Sequence, residues 1–206
     1  MIAWQIARHR VALSGTLVDG ETGKPVAGAR IAIVAMPSAF EKTLALASLR
    51  YGRRWPNLSE RPDRTRTRPD GLFYFMDLPE GKYTLEASIP ELSRRYAPAS
   101  ENVVIKANSG PIPTRVDLAL RPTTVKGKVT GPVKKSGVLL AEVRIKGSGE
   151  RAFSDAQGQF VLSGIEPGKR TVLVYAQGYQ VASRDVTLKE PGVIETVNIP
   201  LLREAG

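Results

Sequence analysis

The sequence predicts an all-β protein of two tandem antiparallel β-sandwiches, the first carrying one short helical insertion. Three observations predict it: short runs of alternating apolar and polar residues, Gly- and Pro-containing turns between them, and an internal repeat. The segments "RPDGLFYFMDLPEGKYTLEAS" (68–88) and "DAQGQFVLSGIEPGKRTVLVYA" (155–176) align at a constant offset of 87. That offset sets Gly71 on Gly158, Phe73 on Phe160, Leu78 on Ile165, Gly81 on Gly168 and Leu85 on Val172.

Taken in order, residues 1–10 are an N-terminal arm, and "LSGTLVDGETGKPVAGARIAIV" is a strand, a polar turn around Asp19 to Gly23, and a second strand over Val26 to Val34. The next stretch, "SAFEKTLALASLRYGRRW" (38–55), changes period. Ser38 and Glu41 stand at capping-box spacing, which predicts that Ser38 accepts from the Glu41 amide; Phe40, Leu44, Ala47 and Tyr51 then recur along one helix face until Gly52. Strand grammar resumes at the Asp70-Gly71 turn, where Phe73 and Phe75 point to one side, "LPEGKY" reverses the chain, and Tyr83, Leu85 and Ala87 alternate on the way back. "TRVDLAL" closes the first repeat and "ETVNIPL" the second.

The second copy of the opening strands is "VKGKVTGPVKKSGVLLAEVRIKG", which pairs Gly15 with Gly127 at an offset of 112 and Arg30-Ile31 with Arg144-Ile145 at 114. The fall from 114 to 87 assigns repeat one 27 residues that repeat two lacks, a helical and basic insertion at about 37–66. The expected domains are a sandwich over 11–121 and another over 122–206, with "RPTT" (121–124) as a short linker.

These motifs resemble the carboxypeptidase regulatory-like domain. Repeat one carries the pattern at Gly15, Asp19, Gly23, Pro25, Gly28, Ala29, Gly71, Phe73, Leu78, Gly81 and Tyr83. Repeat two carries it at Gly127, Gly158, Phe160, Ile165 and Gly168, with Arg170 where tyrosine is expected. The resemblance implies a transthyretin-like, seven-stranded sandwich for each copy. It also implies a non-catalytic accessory or adhesive role, and the fold is similar to that of carbohydrate-binding modules.

Composition narrows the chemistry. The chain has no cysteine and one histidine, so it can build neither a disulfide nor a thiolate metal site, and His9, between two arginines, finds no partner for a triad or a zinc site. Asp19 and Glu21 fall short of the roughly 6–8 oxygens that calcium takes. The expectation is no enzyme, no cofactor and no bound metal. No run approaches the ~18 apolar residues of a membrane span, and "MIAWQIARHRVALSG", without an apolar core or a small-residue cleavage site, is not expected to be a leader.

Charge points to partners. Thirty Lys and Arg against 20 Asp and Glu give +10, and seven arginines fall in residues 50–68 beside only Glu60 and Asp63. The residues expected to bind a partner are Phe40, Leu44, Tyr51, Arg53, Arg54, Trp55, Arg61 and Arg64 in the first repeat, and Lys134 and Lys135 in the second. The expected partners are acidic surfaces of protein subunits in a larger, multi-copy assembly, ahead of nucleic acid, for which no binding motif accompanies the arginines. The specific expectation is a structural subunit at the baseplate or periphery of a phage-tail-like contractile injection system. Such a particle is assembled in the cytoplasm and meets membranes only through partners. The alternatives are a carbohydrate-binding or adhesive surface module, extracellular if a signal peptide precedes this sequence, and a regulatory companion of a separate enzyme.

Overall fold

A computed structural model of the chain describes residues 9–58, 61–106, 112–133 and 136–204. The first strands are β1 (Val11–Asp19), β2 (Arg30–Ala35), β3 (Arg64–Arg66), β4 (Leu72–Met76), β5 (Gly81–Ser88), β6 (Tyr96–Ala97), β7 (Ala99–Ile105), β8 (Thr114–Arg115) and β9 (Leu118–Pro122). They are followed by β10 (Thr124–Thr130), β11 (Glu142–Ile145), β12 (Arg151–Phe153), β13 (Gln159–Leu162), β14 (Gly168–Tyr175), β15 (Ala182–Leu188) and β16 (Ile194–Pro200). One helix, α1 (Ser38–Tyr51), leaves β2 and runs into a 3-10 segment, Gly52–Asn57. Among the described residues the fold is thus all-β with one short α-helix, as the alternation and turns predict.

The described residues divide into two compact units. Those up to Val18, with Lys24–Pro90 and Pro98–Ala119, form the first; Asp19–Gly23, Glu91–Ala97 and the chain from Leu120 form the second. In the first, one sheet runs β3-β2-β5-β7, and in another β1 pairs with β4 antiparallel and with β8 parallel. Alternate residues turn inward, so Leu13, Leu17, Ile31, Phe73, Tyr83 and Leu85 are buried between the sheets. In the second unit the sheets are β13-β10-β16 and β12-β11-β14-β15, enclosing Val125, Val129, Val143, Phe160, Val172 and Ile199. The parallel β1–β8 and β10–β16 pairs depart from the expectation of wholly antiparallel sheets. Local alternation sets which face a strand buries, whereas strand sense depends on a long return that alternation does not encode.

Backbone pairing also corrects the alignment of the repeats. Gly15 faces Phe73 as Gly127 faces Phe160, and Ile31 faces Ala87 as Val143 faces Val174. Arg30-Ile31 therefore answers Glu142-Val143 at an offset of 112, not Arg144-Ile145 at 114. Thr65 faces Ile31 as Ala152 faces Val143, so the offset is already 87 at β3. The extra residues number 25 rather than 27 (112 less 87), and they lie wholly between β2 and β3. A strand has a period of two, so a slip of two residues keeps every side chain on its proper face and escapes a reading based on pattern.

Within this frame the units reuse the same devices. The Thr67 hydroxyl accepts from the Ala29 amide (2.9 Å) and donates to the Val26 carbonyl (2.7 Å); the Ser154 hydroxyl does the same with Ala141 (2.9 Å) and Val138 (2.6 Å). Tyr83 donates to the Pro79 carbonyl at 2.8 Å. At the matching place in repeat two, Arg170 Nε donates to the Glu166 carbonyl at 2.9 Å. The guanidinium thus takes over the hydrogen bond of the missing tyrosine.

The residues read as a linker are built into the second unit. Pro122 lies in β9, and Thr123 and Thr124 are fully buried, their amides donating to the carbonyls of Arg95 and Val193, both at 2.8 Å. Arg95 also pairs with Glu150, and with Glu166 at 3.6 Å, while Ser148 bonds the same Glu150. Burial pushes the Glu150 carboxyl up, but bonds from Ser148 and its own backbone, with the Arg95 cation, outweigh it and leave the group below its ordinary value.

Candidate interaction surface

The insertion folds as a helix whose start differs from the expectation. The cap position is Pro37, in extended conformation, and its carbonyl accepts from the amides of Phe40 (3.0 Å) and Glu41 (3.1 Å). Ser38 is already the first helical residue and makes no side-chain cap bond, so the capping box does not form. Gly52 ends the helix as expected, at φ 51°, and its amide donates to the Ser48 carbonyl.

Half of the expected partner-binding side chains hold the insertion onto its own unit. Phe40 is buried, edge-on to Tyr83 with ring centroids 6.0 Å apart. Leu44 is half-buried on the same side. Arg64 of β3 donates to the carbonyls of Pro56 (2.7 Å) and Leu58 (2.6 Å), which fastens the 3-10 segment to the sheet edge. Arg61 pairs with Asp63 and lies 4.3 Å from the centre of the Trp55 ring, which also stacks on Tyr51 at 6.1 Å. Burial and the cations of Arg61, Arg30 and Arg66 lower the basicity of Arg64, with Asp63 acting in the opposite sense.

What remains outward is a different set. Arg53 and Arg54 are exposed, and Tyr51 is about half so. Leu46 and Leu49 are 68% and 79% exposed, and at spacings of three and four along α1 they share a stripe with Lys42 and Arg50. Sequence reasoning missed both leucines because it assigned one apolar stripe to the helix and "LALASL" carries a second. Lys134 and Lys135 lie outside the described residues, as do residues 1–8 of the arm.

Other polar groups are engaged in local structure. The Asp19 carboxylate accepts from the amides of Glu21 (3.0 Å) and Thr22 (2.8 Å), shaping the turn considered for calcium. His9 Nδ1 lies 2.5 Å from Asp77, whose other oxygen accepts from the Arg10 amide at 2.9 Å. Among the described residues no three His, Asp or Glu side chains are grouped as metal ligands. No described helix is long and apolar enough to cross a membrane, which leaves strands unaddressed.

The carboxylates predict an acid response. Bonds from Arg115 and Thr16 pull Asp117 down to about 2, and bonds from His9 and the Arg10 amide lower Asp77. A carboxyl depressed in the folded state contributes stability that is complete above its unfolded value of about 4 and is lost as pH falls through the folded value. Urea midpoints should therefore fall between pH 4 and pH 2. Asp117→Asn should flatten that slope by only about 0.5 kcal/mol, because the group is half exposed and screened by solvent.

Residues 124–202 match the carboxypeptidase regulatory-like domain. That stretch begins at β10 and ends just past β16, so the regulatory-like domain matches the second repeat's strands from first to last. Among solved structures, the shaft pilin SpaA from Lactobacillus rhamnosus GG is 13% identical over 97% of this chain and 99% of its own, with a TM-score of 0.42. The Streptococcal ancillary pilin is 13% identical over 96% of this chain and 64% of its own, with a TM-score of 0.38. A type II cohesin–X-dockerin complex from Acetivibrio cellulolyticus is 18% identical over 39% of this chain and 58% of its own, with a TM-score of 0.33. No curated protein matches the sequence.

Proposed function

We propose that the protein is a non-catalytic structural module that docks an acidic partner through the outward face of its insertion. One observation carries the reading: the insertion is fastened from behind by Phe40, Arg61 and Arg64, yet leaves Leu46 and Leu49 in water beside exposed Arg50, with exposed Arg53 and Arg54 following in the 3-10 segment. Apolar anchors with cations beside them suit a groove rimmed by carboxylates, where desolvation supplies affinity and charge supplies speed and register. The assembly proposed is a phage-tail-like contractile injection system, with this chain at the baseplate or periphery, where many copies would reinforce a modest contact.

The carbohydrate-binding reading has less support. Three of its candidate platforms are occupied, Trp55 by Tyr51 and Arg61, Tyr175 by Arg144 at 4.1 Å, and Tyr179 by packing against the core.

The test is sedimentation of extracts from producing cells at low and high salt. The native chain should travel in a fast fraction at low salt and leave it near 1 M, where the Debye length has shrunk to about 3 Å. A variant with Leu46→Ala, Leu49→Ala, Arg50→Glu, Arg53→Glu and Arg54→Glu should melt normally and stay in the slow fraction. A native chain found only in the slow fraction at low salt contradicts the reading.

A further inference from the structure

We propose that the second unit carries a docking patch of its own, formed by Leu139, Leu140 and Phe153, for a partner protein whose apolar pocket is rimmed with carboxylates. The corrected register identifies it. Leu139, Leu140 and Phe153 occupy the places of Ala27, Gly28 and Arg66 in the first unit, and all six are exposed. In the first unit Arg66 Nη1 reaches the Gly28 carbonyl at 2.8 Å, so a side chain at the third place lies along the second. Phe153 stands next to Ser154, whose carbonyl accepts from the Leu140 amide at 2.9 Å.

Stability does not account for these residues. Gly28 has φ 70° and Leu140 φ 56°, a left-handed conformation natural to glycine and strained for leucine. Nor does the leucine gain burial in return: it is 68% exposed, with Leu139 at 57% and Phe153 at 55%. A strained backbone bearing an apolar side chain into water is a feature of binding surfaces.

Charge selects the occupant. On the same face as Phe153, Arg151 stands directly opposite Arg144, a like-charged cross-strand pair. Glu142, opposite Phe153, is offset by Arg144 two residues on, and Arg151 makes no ion pair with a described residue. A second copy would bring two such arginine pairs together in a chain of net charge +10, whereas a carboxylate-rimmed pocket relieves them.

The experiment places a photo-cross-linking amino acid at position 139 of the full chain in producing cells. The cross-linked protein is then purified and titrated against the native chain, the single variant Leu140→Gly, and a variant carrying Leu139→Ala, Leu140→Gly and Phe153→Arg. Expected are a cross-linked site with Asp or Glu beside apolar residues, binding at least tenfold weaker for the triple variant, and a melting temperature for Leu140→Gly no lower than that of the native chain. Equal binding by the triple variant overturns the proposal, as does a cross-link to a second copy or no protein adduct at all. It is also overturned if phosphatidylcholine–phosphatidylglycerol vesicles, rather than a protein, bind the native chain and release the triple variant.

Discussion

Replacing Gly127 by alanine is expected to destabilise the second unit by about 3 kcal/mol or more, lowering its melting temperature by at least about 12 °C. A Cβ added at Gly127 would stand 1.7 Å from the Val197 carbonyl oxygen, and one at Gly15 would stand 1.7 Å from the Val116 oxygen. Backbone oxygens inside a sheet cannot yield as the tip of a flexible side chain can, so the closing strand must move away from the first strand. In the second unit that movement breaks the β10–β16 ladder, whose pairs run from Thr124–Ile194 to Thr130–Pro200. Gly149→Ala is the control, because nothing lies within 4 Å of its added Cβ, and its melt should be unchanged. Calorimetry of the two variants separates lost space from the general effect of removing a glycine.

The second large effect is at Phe40. Phe40→Ala should cost about 3 kcal/mol in the first unit, from lost burial and the edge-on contact with Tyr83. Phe40 is the buried residue of α1, and a helix of 14 residues is marginal in water without tertiary support. Amides of residues 42–50 should therefore lose hydrogen-exchange protection while those of β11 and β14 keep theirs. Retained protection along α1 would mean that Arg61 and Arg64 hold the insertion unaided.

The hairpins were legible because a period of two and a glycine turn are written in adjacent residues: Gly71, Phe73 and Phe75 state their roles locally, as do Gly158, Phe160 and Leu162. The existence of the insertion was legible too, as a change of period after β2. Three features were not. The two-residue slip in register leaves the pattern of burial intact, and identical Arg-Ile pairs at 30–31 and 144–145 favoured the wrong match. The clamp made by Arg61 and Arg64 depends on the path of residues 52–58 beside β3, which composition does not specify, so these arginines looked free to meet a partner. Leu140 reveals itself only when the corrected register lays it on Gly28. The physical reason is common to all three: each depends on which residues the sheet brings opposite one another, and that is a non-local property.

This division also explains how two copies of one framework can differ in use. The tight glycines at 15 and 127, the buried hydroxyls of Thr67 and Ser154, and the bonds made by Tyr83 and Arg170 do the same structural work in both units. The differences lie on exposed surface, where the cost of substitution is small and the effect on recognition is large.

The most direct measurement is a single-particle electron microscopy map of the native assembly isolated from producing cells, with the full-length chain compared with a variant lacking residues 37–61. That deletion makes the span from Ile31 to its partner Thr65 as long as the matching span from Val143 to Ala152. Density for this chain is expected to attach through the outward face of α1, with Leu46, Leu49 and Arg50 against carboxylate-bearing residues of a neighbour, and to be missing when the insertion is removed. A map in which that face of α1 meets solvent, or in which the shortened chain occupies the assembly as fully as the native one, would contradict it.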